Sequence, residues 1–212
     1  MTNRVTNLVF EDYVFGDNGI LLYYLIDHHK IAYKIKIKSN YLQNIIEDYP
    51  KHLRHRLEPY IINTGIGLLS FMIKKYYPKY IIINAVQLDK TCLKLWKKWF
   101  TKGMGEFFYK NKLPHRLTIL TNTSKPFLKR NNFNLTNKAL LPNGGGKDSI
   151  VSSELLKDIG LEYSWVTVGL TNYRKNVIEA SDISSYLNIS YIQYGKVPND
   201  YKTYSGHIPY TL

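Results

Sequence analysis

The sequence predicts an α/β protein, with a small α+β region over residues 1–130 and a parallel-sheet α/β domain over residues 131–212. Three observations predict it. Residues 30–38 alternate Ile31, Tyr33, Ile35 and Ile37 with Ala32, Lys34, Lys36 and Lys38, the period of a half-buried strand with a basic outer face. Between Thr64 and Tyr77 apolar positions recur at helical spacing and stop before Pro78. After residue 138 strand-like and helix-like stretches alternate, an order that calls for right-handed crossovers and a parallel sheet.

In chain order, Asn7–Phe10 and Ile20–Ile26 read as short strands, and the lysines of the third strand are expected to discourage edge-to-edge pairing. Helices are expected at Tyr41–Tyr49 and Thr64–Tyr77, then a strand at Tyr80–Ala85. Thr91–Lys102 places Leu95, Trp96, Trp99 and Phe100 mainly on one side of a helix, which favours core packing over a ligand role for the tryptophans. Gly103 and Gly105 are expected to end that helix and deliver Glu106 and its aromatic neighbours into a loop or strand. Pro114–Asn137, rich in Asn, Thr and Lys, is the best boundary. Beyond it come a strand at Ala139–Pro142, a helix at Asp148–Ile159 with Ile150, Val151, Leu155, Leu156 and Ile159 as its apolar face, a strand at Tyr163–Val168, a helix at Asn176–Leu187 and a strand at Ile189–Tyr194.

Composition narrows the function classes. With 212 residues and 44% hydrophobic content the chain can bury a core. Its single cysteine, Cys92, excludes an internal disulfide and a multi-cysteine zinc site, and suits a reducing, cytoplasmic setting. The N-terminal stretch has no signal-peptide core, and the apolar run Ile61–Ile73 is too short and interrupted to span a bilayer. The net charge of +13 raises a nucleic-acid partner. The lysines are scattered and arginine is scarce, so solvated faces are preferred and nucleic acid is kept as a disfavoured alternative. His52 and His55 have chelate spacing, yet no third ligand is evident among His28, His29 and His115.

The stretch "LLPNGGGKDSIVSSELLK", Leu140–Lys157, puts three glycines between a strand and a helix. In an open parallel sheet that corner brings backbone N–H groups and a helix start onto an anion. Gly144, Gly145 and Gly146 have no Cβ to block phosphate oxygens, Lys147 offers a cation and Ser149 a hydroxyl. A tight turn alone would not need the chain entropy of three glycines. The Walker form is disfavoured because Asp148 follows Lys147 and no glycine lies in Ala139–Asn143, and the dinucleotide fingerprint is incompletely filled.

"GGGKDS" instead resembles the S-G-G-x-D-S loop of the PP-loop ATP pyrophosphatases, with Gly144 in place of the first serine. That resemblance implies a PP-loop, adenine nucleotide alpha hydrolase-like domain that holds the β- and γ-phosphates of ATP and cleaves between α and β. Together, "GEFFYKNKL", "LLPNGGGKDSIVSSELL" and "SGHIPYT" look like the family of ATP-dependent UDP-N-acetylmuramoyl-L-alanyl-L-glutamate epimerases. The implied activity inverts the terminal glutamate of a UDP-linked muramoyl peptide through an acyl-adenylate, with ATP and Mg2+. Family members are longer than this chain, so the resemblance also implies later strands, which a partner polypeptide could supply.

Carried over by position, Gly144, Gly145, Gly146 and Ser149 would hold phosphates, Lys147 would neutralise developing charge, and Asp148 would contact magnesium or else cap the helix. Thr167, Val168 and Gly169 would lie near adenine or ribose, with Asn172 lining the same crevice. Glu106 and His207 are the acid/base candidates; the blander readings are a lysine partner for Glu106 and a turn-orienting role for His207. Two alternatives stay open: another PP-loop enzyme, tRNA-modifying or amide-forming, acting on another carboxylate or related oxygen, and a non-catalytic ATP-binding remnant.

Overall fold

The computed structural model describes residues 4–16, 19–39, 49–128 and 136–204. Its strands are β1 (Asn7–Gly16), β2 (Gly19–Ile26), β3 (His29–Ser39), β4 (Tyr80–Ile83), β5 (Thr118–Thr121), β6 (Lys138–Pro142), β7 (Glu162–Val168) and β8 (Tyr186–Tyr194). Its α-helices are α1 (Glu58–Tyr76), α2 (Lys90–Thr101), α3 (Gly105–Lys110), α4 (Lys147–Asp158) and α5 (Asn172–Ala180). The expected helix at Tyr41–Tyr49 falls almost wholly outside the described residues.

The fold is mixed α/β, and the described residues build one eight-stranded sheet in the order β5-β4-β1-β2-β3-β8-β7-β6. β6, β7 and β8 are parallel, as strand and helix alternation predicts. The antiparallel ladder from β3 to β8 joins them to the N-terminal strands, with Lys34 opposite Ile192 and Ile37 opposite Ile189. β3 is therefore an interior strand, and its lysines guard no edge. The alternation correctly marks a basic face but carries no information about which strand lies alongside.

Cross-strand partners share a sheet face, so the ladder shows which helices cover what. Tyr24 donates from its hydroxyl to the Gly65 carbonyl of α1 at 2.9 Å, and its partner Ile31 shares that face with Tyr33, Ile35 and Ile37. Through Ile37 and Ile189 the same face continues to Val168 on β7. Trp165 and Tyr163 point the opposite way. There α4 and α5 cover them, by a bond of 2.6 Å between Ser153 Oγ and Tyr163 Oη and by packing of Val177 and Ile178. Helices thus lie on both faces, α1 over the N-terminal strands and α4 and α5 over the C-terminal ones.

The larger core gathers Phe10, Tyr24, Ile62, Ile66, Leu69, Phe100 and Phe108 among others, all essentially excluded from solvent. α1 begins with proline in its first turn and ends at Tyr77, whose left-handed φ of 44° lets its N–H donate to Ile73 before Pro78. Gly65 is where α1 meets the sheet: a Cβ there would lie 2.3 Å from Phe10 Cζ. Gly65→Ala gains about 1 kcal/mol in helix propensity. Against that, overpacking costs about 1–3 kcal/mol, and the buried Phe10 ring has no empty space to enter. We expect a net loss on the order of 1–2 kcal/mol, checked by urea denaturation.

Three further expectations are corrected. Gly103 and Gly105 do not deliver Glu106 into a loop or strand; a 3-10 turn at Lys102–Met104 leads into α3, because Gly105 keeps right-handed helical angles and burial of Phe107 and Phe108 draws the next turn onto the core. The boundary stretch contains β5, which pairs in parallel with β4. On α2, Phe100 is buried and Trp96 packs on the core, but Leu95 and Trp99 are largely exposed, Trp99 being tethered through Nε1 to Ser70 Oγ at 3.0 Å.

Candidate functional site

Because β6, β7 and β8 are parallel, their C-terminal ends bring two turns together at one end of the sheet, Asn143–Gly146 after β6 and Gly169–Thr171 after β7. Asn143 is 4% exposed and sets the first turn: its N–H donates to Val166 O, its Oδ1 accepts from Gly145 N at 2.8 Å, and its Nδ2 donates to Arg174 O at 2.9 Å. Ser149 Oγ accepts from Gly144 N at 3.1 Å. The Gly144 and Gly145 amides are thus bonded within the turn. Ser149 keeps its hydroxyl proton available to an anion.

The three glycines are not equivalent. Gly145 has φ +84°, and a Cβ there would lie 3.2 Å from Tyr173 Cβ, so the protein's own geometry demands glycine. A Cβ on Gly146 would meet nothing within 4 Å, and its φ of −110° suits any residue. At Gly144 only Ser149 Oγ lies as near as 4.0 Å. Among the described residues, two of the three glycines therefore have no close neighbour for a Cβ.

Gly146 is the N-cap of α4 and no side chain caps it, so the cap role considered for Asp148 is not the one it takes. Lys147 and Asp148 form the first turn and are exposed, with Asp148 favourably placed at the positive end of the helix dipole. Among the described residues no cluster of three His, Cys, Asp or Glu side chains is able to hold a metal. Magnesium here would rest on Asp148 together with phosphate oxygens, its usual mode at nucleotide sites.

The second turn lies against the first through Arg174, which the sequence reading missed. Its Nη1 donates to Val168 O at 2.5 Å and Gly169 O at 2.8 Å, while its Nε is buried with no hydrogen-bond partner. Thr167 is buried and bonds its hydroxyl to Gly169 O at 2.6 Å, and Asn172 opens α5, exposed. The structure thus places Gly144–Ser149 beside Thr167–Gly169. Two sequence signals were available for what was missed: Asn143 abuts the glycines, and Arg174 is one of only six arginines.

Glu106 is elsewhere. It lies on α3, exposed, paired with Lys110 at 2.5 Å and felt electrostatically by Lys74 of α1, and no described contact links it to the glycine turn. His207 and the Gly-His-Ile-Pro segment lie outside the described residues.

Among the described residues β6 has a neighbour on one side only, and its other edge runs beside the glycine turn. The apolar face expected of α4 points outward. Ile150, Val151, Leu155 and Ile159 are each at least half exposed; Ser149, Ser153 and half-buried Leu156 take the inner side. Helical spacing marked these residues as one set but not the side on which the sheet lies. Leu140, on the opposite sheet face, is 60% exposed.

Among the described residues no helix is long and apolar enough to cross a membrane. No solved structure matches the chain. A UDP-N-acetyl-alpha-D-muramoyl-L-alanyl-L-glutamate epimerase from Micromonospora sp. (strain ATCC 39149 / NRRL 15099 / SCC 1413) is 32% identical over 111 residues, which cover 50% of this chain and 24% of that relative. The match thus spans about a quarter of the relative's length. The model of the MurL N-terminal domain family matches residues 3–212, essentially the whole length, and the chain belongs to that family.

Proposed function

We propose that the chain is the ATP-handling part of an epimerase that inverts the terminal L-glutamate of UDP-N-acetylmuramoyl-L-alanyl-L-glutamate through an acyl-adenylate, working in the cytoplasm. The observation that carries the reading is the open space at Gly144 and Gly146, where glycine serves nothing in the protein itself and leaves room for phosphate oxygens. Family membership and the name of the relative support the choice of substrate. When bound, ATP with Mg2+ supplies the AMP that caps the glutamate carboxylate, releases pyrophosphate, and lets the Cα proton leave and return before water frees AMP and the D-glutamyl product.

The chain's own residues have definite tasks in this reading. The free amides at the start of α4 and the Ser149 hydroxyl bind phosphate oxygens, and Lys147 offsets their charge. Asp148 is the magnesium contact. Arg174 holds the two turns in register, and its unpartnered Nε–H offers one more donor. The Val168–Gly169 turn and Asn172 border the adenosine end. Glu106 and His207 remain the proposed proton-transfer pair, which requires each of them to approach the reacting carbon.

In this reading the order β8-β7-β6 corresponds to one half of a doubly wound sheet, whose ligands bind at the strand-order switch, which would be the outer edge of β6. A polypeptide segment adding a strand beside β6 and covering Leu155, Ile159 and Leu140 would wall the crevice from that side. The lysines of β3 lie three strands away from β6 and do not converge on the turn, so nothing favours nucleic acid as substrate.

The test is incubation with ATP, Mg2+ and the UDP-linked muramoyl dipeptide, measuring pyrophosphate and D-glutamate. Both are expected. Absence of both from folded, ATP-binding protein would remove the epimerase reading. Asp148→Ala should abolish turnover with an unchanged melting temperature, and surviving turnover would end the metal role.

A further inference from the structure

The substrate of this reading carries a nucleotide of its own, distinct from the ATP assigned to the glycine turn. A second concave site opens at the same end of the sheet. β8 runs parallel to β6 and continues past it: Pro142 is level with Leu187 through Val166, and Gln193 lies farther along β8, opposite Tyr33 of the antiparallel β3. Between these strands and the last turn of α1 is a cavity of about 280 Å³.

Tyr33, Tyr76 and Tyr204 give the cavity aromatic walls, Lys74 and Lys75 give it positive charge, and Gln193 stands at its rim. Tyr33 Oη donates to Gln193 Oε1 at 3.0 Å and Gln193 Nε2 donates to Gly195 O at 3.5 Å, which leaves the second amide N–H of Gln193 as a donor for a ligand. Burial pushes the Tyr33 hydroxyl up to about 12, so it stays a donor at neutral pH. Tyr204 is held in place by its N–H, which donates to Lys75 O at 2.9 Å. Exposed Lys75 is enough to complement the α1 dipole. Lys74 is different: burial lowers its pKa, against the opposing pull of Glu106.

Aromatic walls, an amide at the rim and two ammonium groups are the chemistry that takes a pyrimidine base and its phosphates. We propose that this cavity holds the uridine diphosphate end of the substrate, its base among the tyrosines with Gln193 at its imide edge and its phosphates on Lys74 and Lys75. The choice of uridine rests on the epimerase reading.

The test is titration of the chain with UDP by calorimetry, with and without saturating ATP. UDP is expected to saturate in both cases, to weaken at least tenfold in Lys74→Ala, and to lose its preference over CDP in Gln193→Ala, both variants folding normally because these side chains are not core. Absence of saturation at millimolar UDP, displacement of UDP by ATP, unchanged affinity in Lys74→Ala, or competition by pyrophosphate as good as by UDP would each overturn the proposal. The readout needs no turnover: UDP binding without pyrophosphate release in the assay above would sink the epimerase reading alone, and release without UDP binding would sink this one alone.

Discussion

Gly146→Ala is expected to leave the fold as stable as before and to cripple ATP use. The backbone at 146 is extended and an added Cβ meets nothing within 4 Å, so no strain follows. Alanine is a poorer N-cap than glycine by up to about 1 kcal/mol. It also narrows the unfolded ensemble, which returns about 0.4–1 kcal/mol, so the net change stays within about 1 kcal/mol. A methyl group in the space left for phosphate oxygens displaces them by about an ångström, a shift that costs on the order of 100-fold in rate. The check is a melting curve beside ATP titration and pyrophosphate release. A fully active, fully stable Gly146→Ala protein would mean that the glycine corner holds no phosphate. Gly145→Ala cannot make that distinction, because its φ of +84° and its contact with Tyr173 would lower stability and activity together.

Trp165→Ala is expected to cost about 3–5 kcal/mol, the range for deleting a buried tryptophan. Trp165 is fully buried in a small cluster whose other buried members are Tyr163, Val177 and Ile178, with ring centroids 5.5 Å apart between Trp165 and Tyr163. Its Nε1 also donates to Ser181 Oγ at 2.9 Å, a bond that helps fasten the end of α5. Against a usual total of about 5–15 kcal/mol, such a loss is large. A fall of roughly 6–20 °C in melting temperature follows for a domain of this size. Because α4 and α5 position both turns of the site, ATP binding should fail at a lower temperature than in the parent protein. A shift under 2 °C, on the order expected for a surface change, would show that the C-terminal strands draw their stability from the β3–β8 ladder rather than from this cluster.

The elements that could be read from the sequence are those whose signal is local. Alternation in residues 30–38 is a record of which side of β3 is dry, and the structure keeps Ile31 and Ile35 inside and the lysines out. Pro59, Tyr77 and Pro78 delimit α1 by backbone constraint. The glycine corner is legible because three glycines in a row stand out in any sequence; Gly145 meets a backbone demand, with φ +84°, while Gly146 has an extended backbone open to any residue. α3 and β5 were misread for want of such a signal. Gly105 has the composition of a helix stop, and the four residues of β5 are too short to show a period.

What the sequence determined by itself was the alternation of strand and helix from β6 to β8, the bare corner between β6 and α4, and the basic, tyrosine-rich character of the chain, all of them consequences of residue type and spacing. The tertiary structure alone decided that β3 lies beside β8, that the apolar side of α4 faces outward while Ser149 and Ser153 face in, and that Arg174 joins the two turns of the site. Each of these depends on which distant residues compete for the same face or the same hydrogen bond. That competition is settled only when the chain is folded.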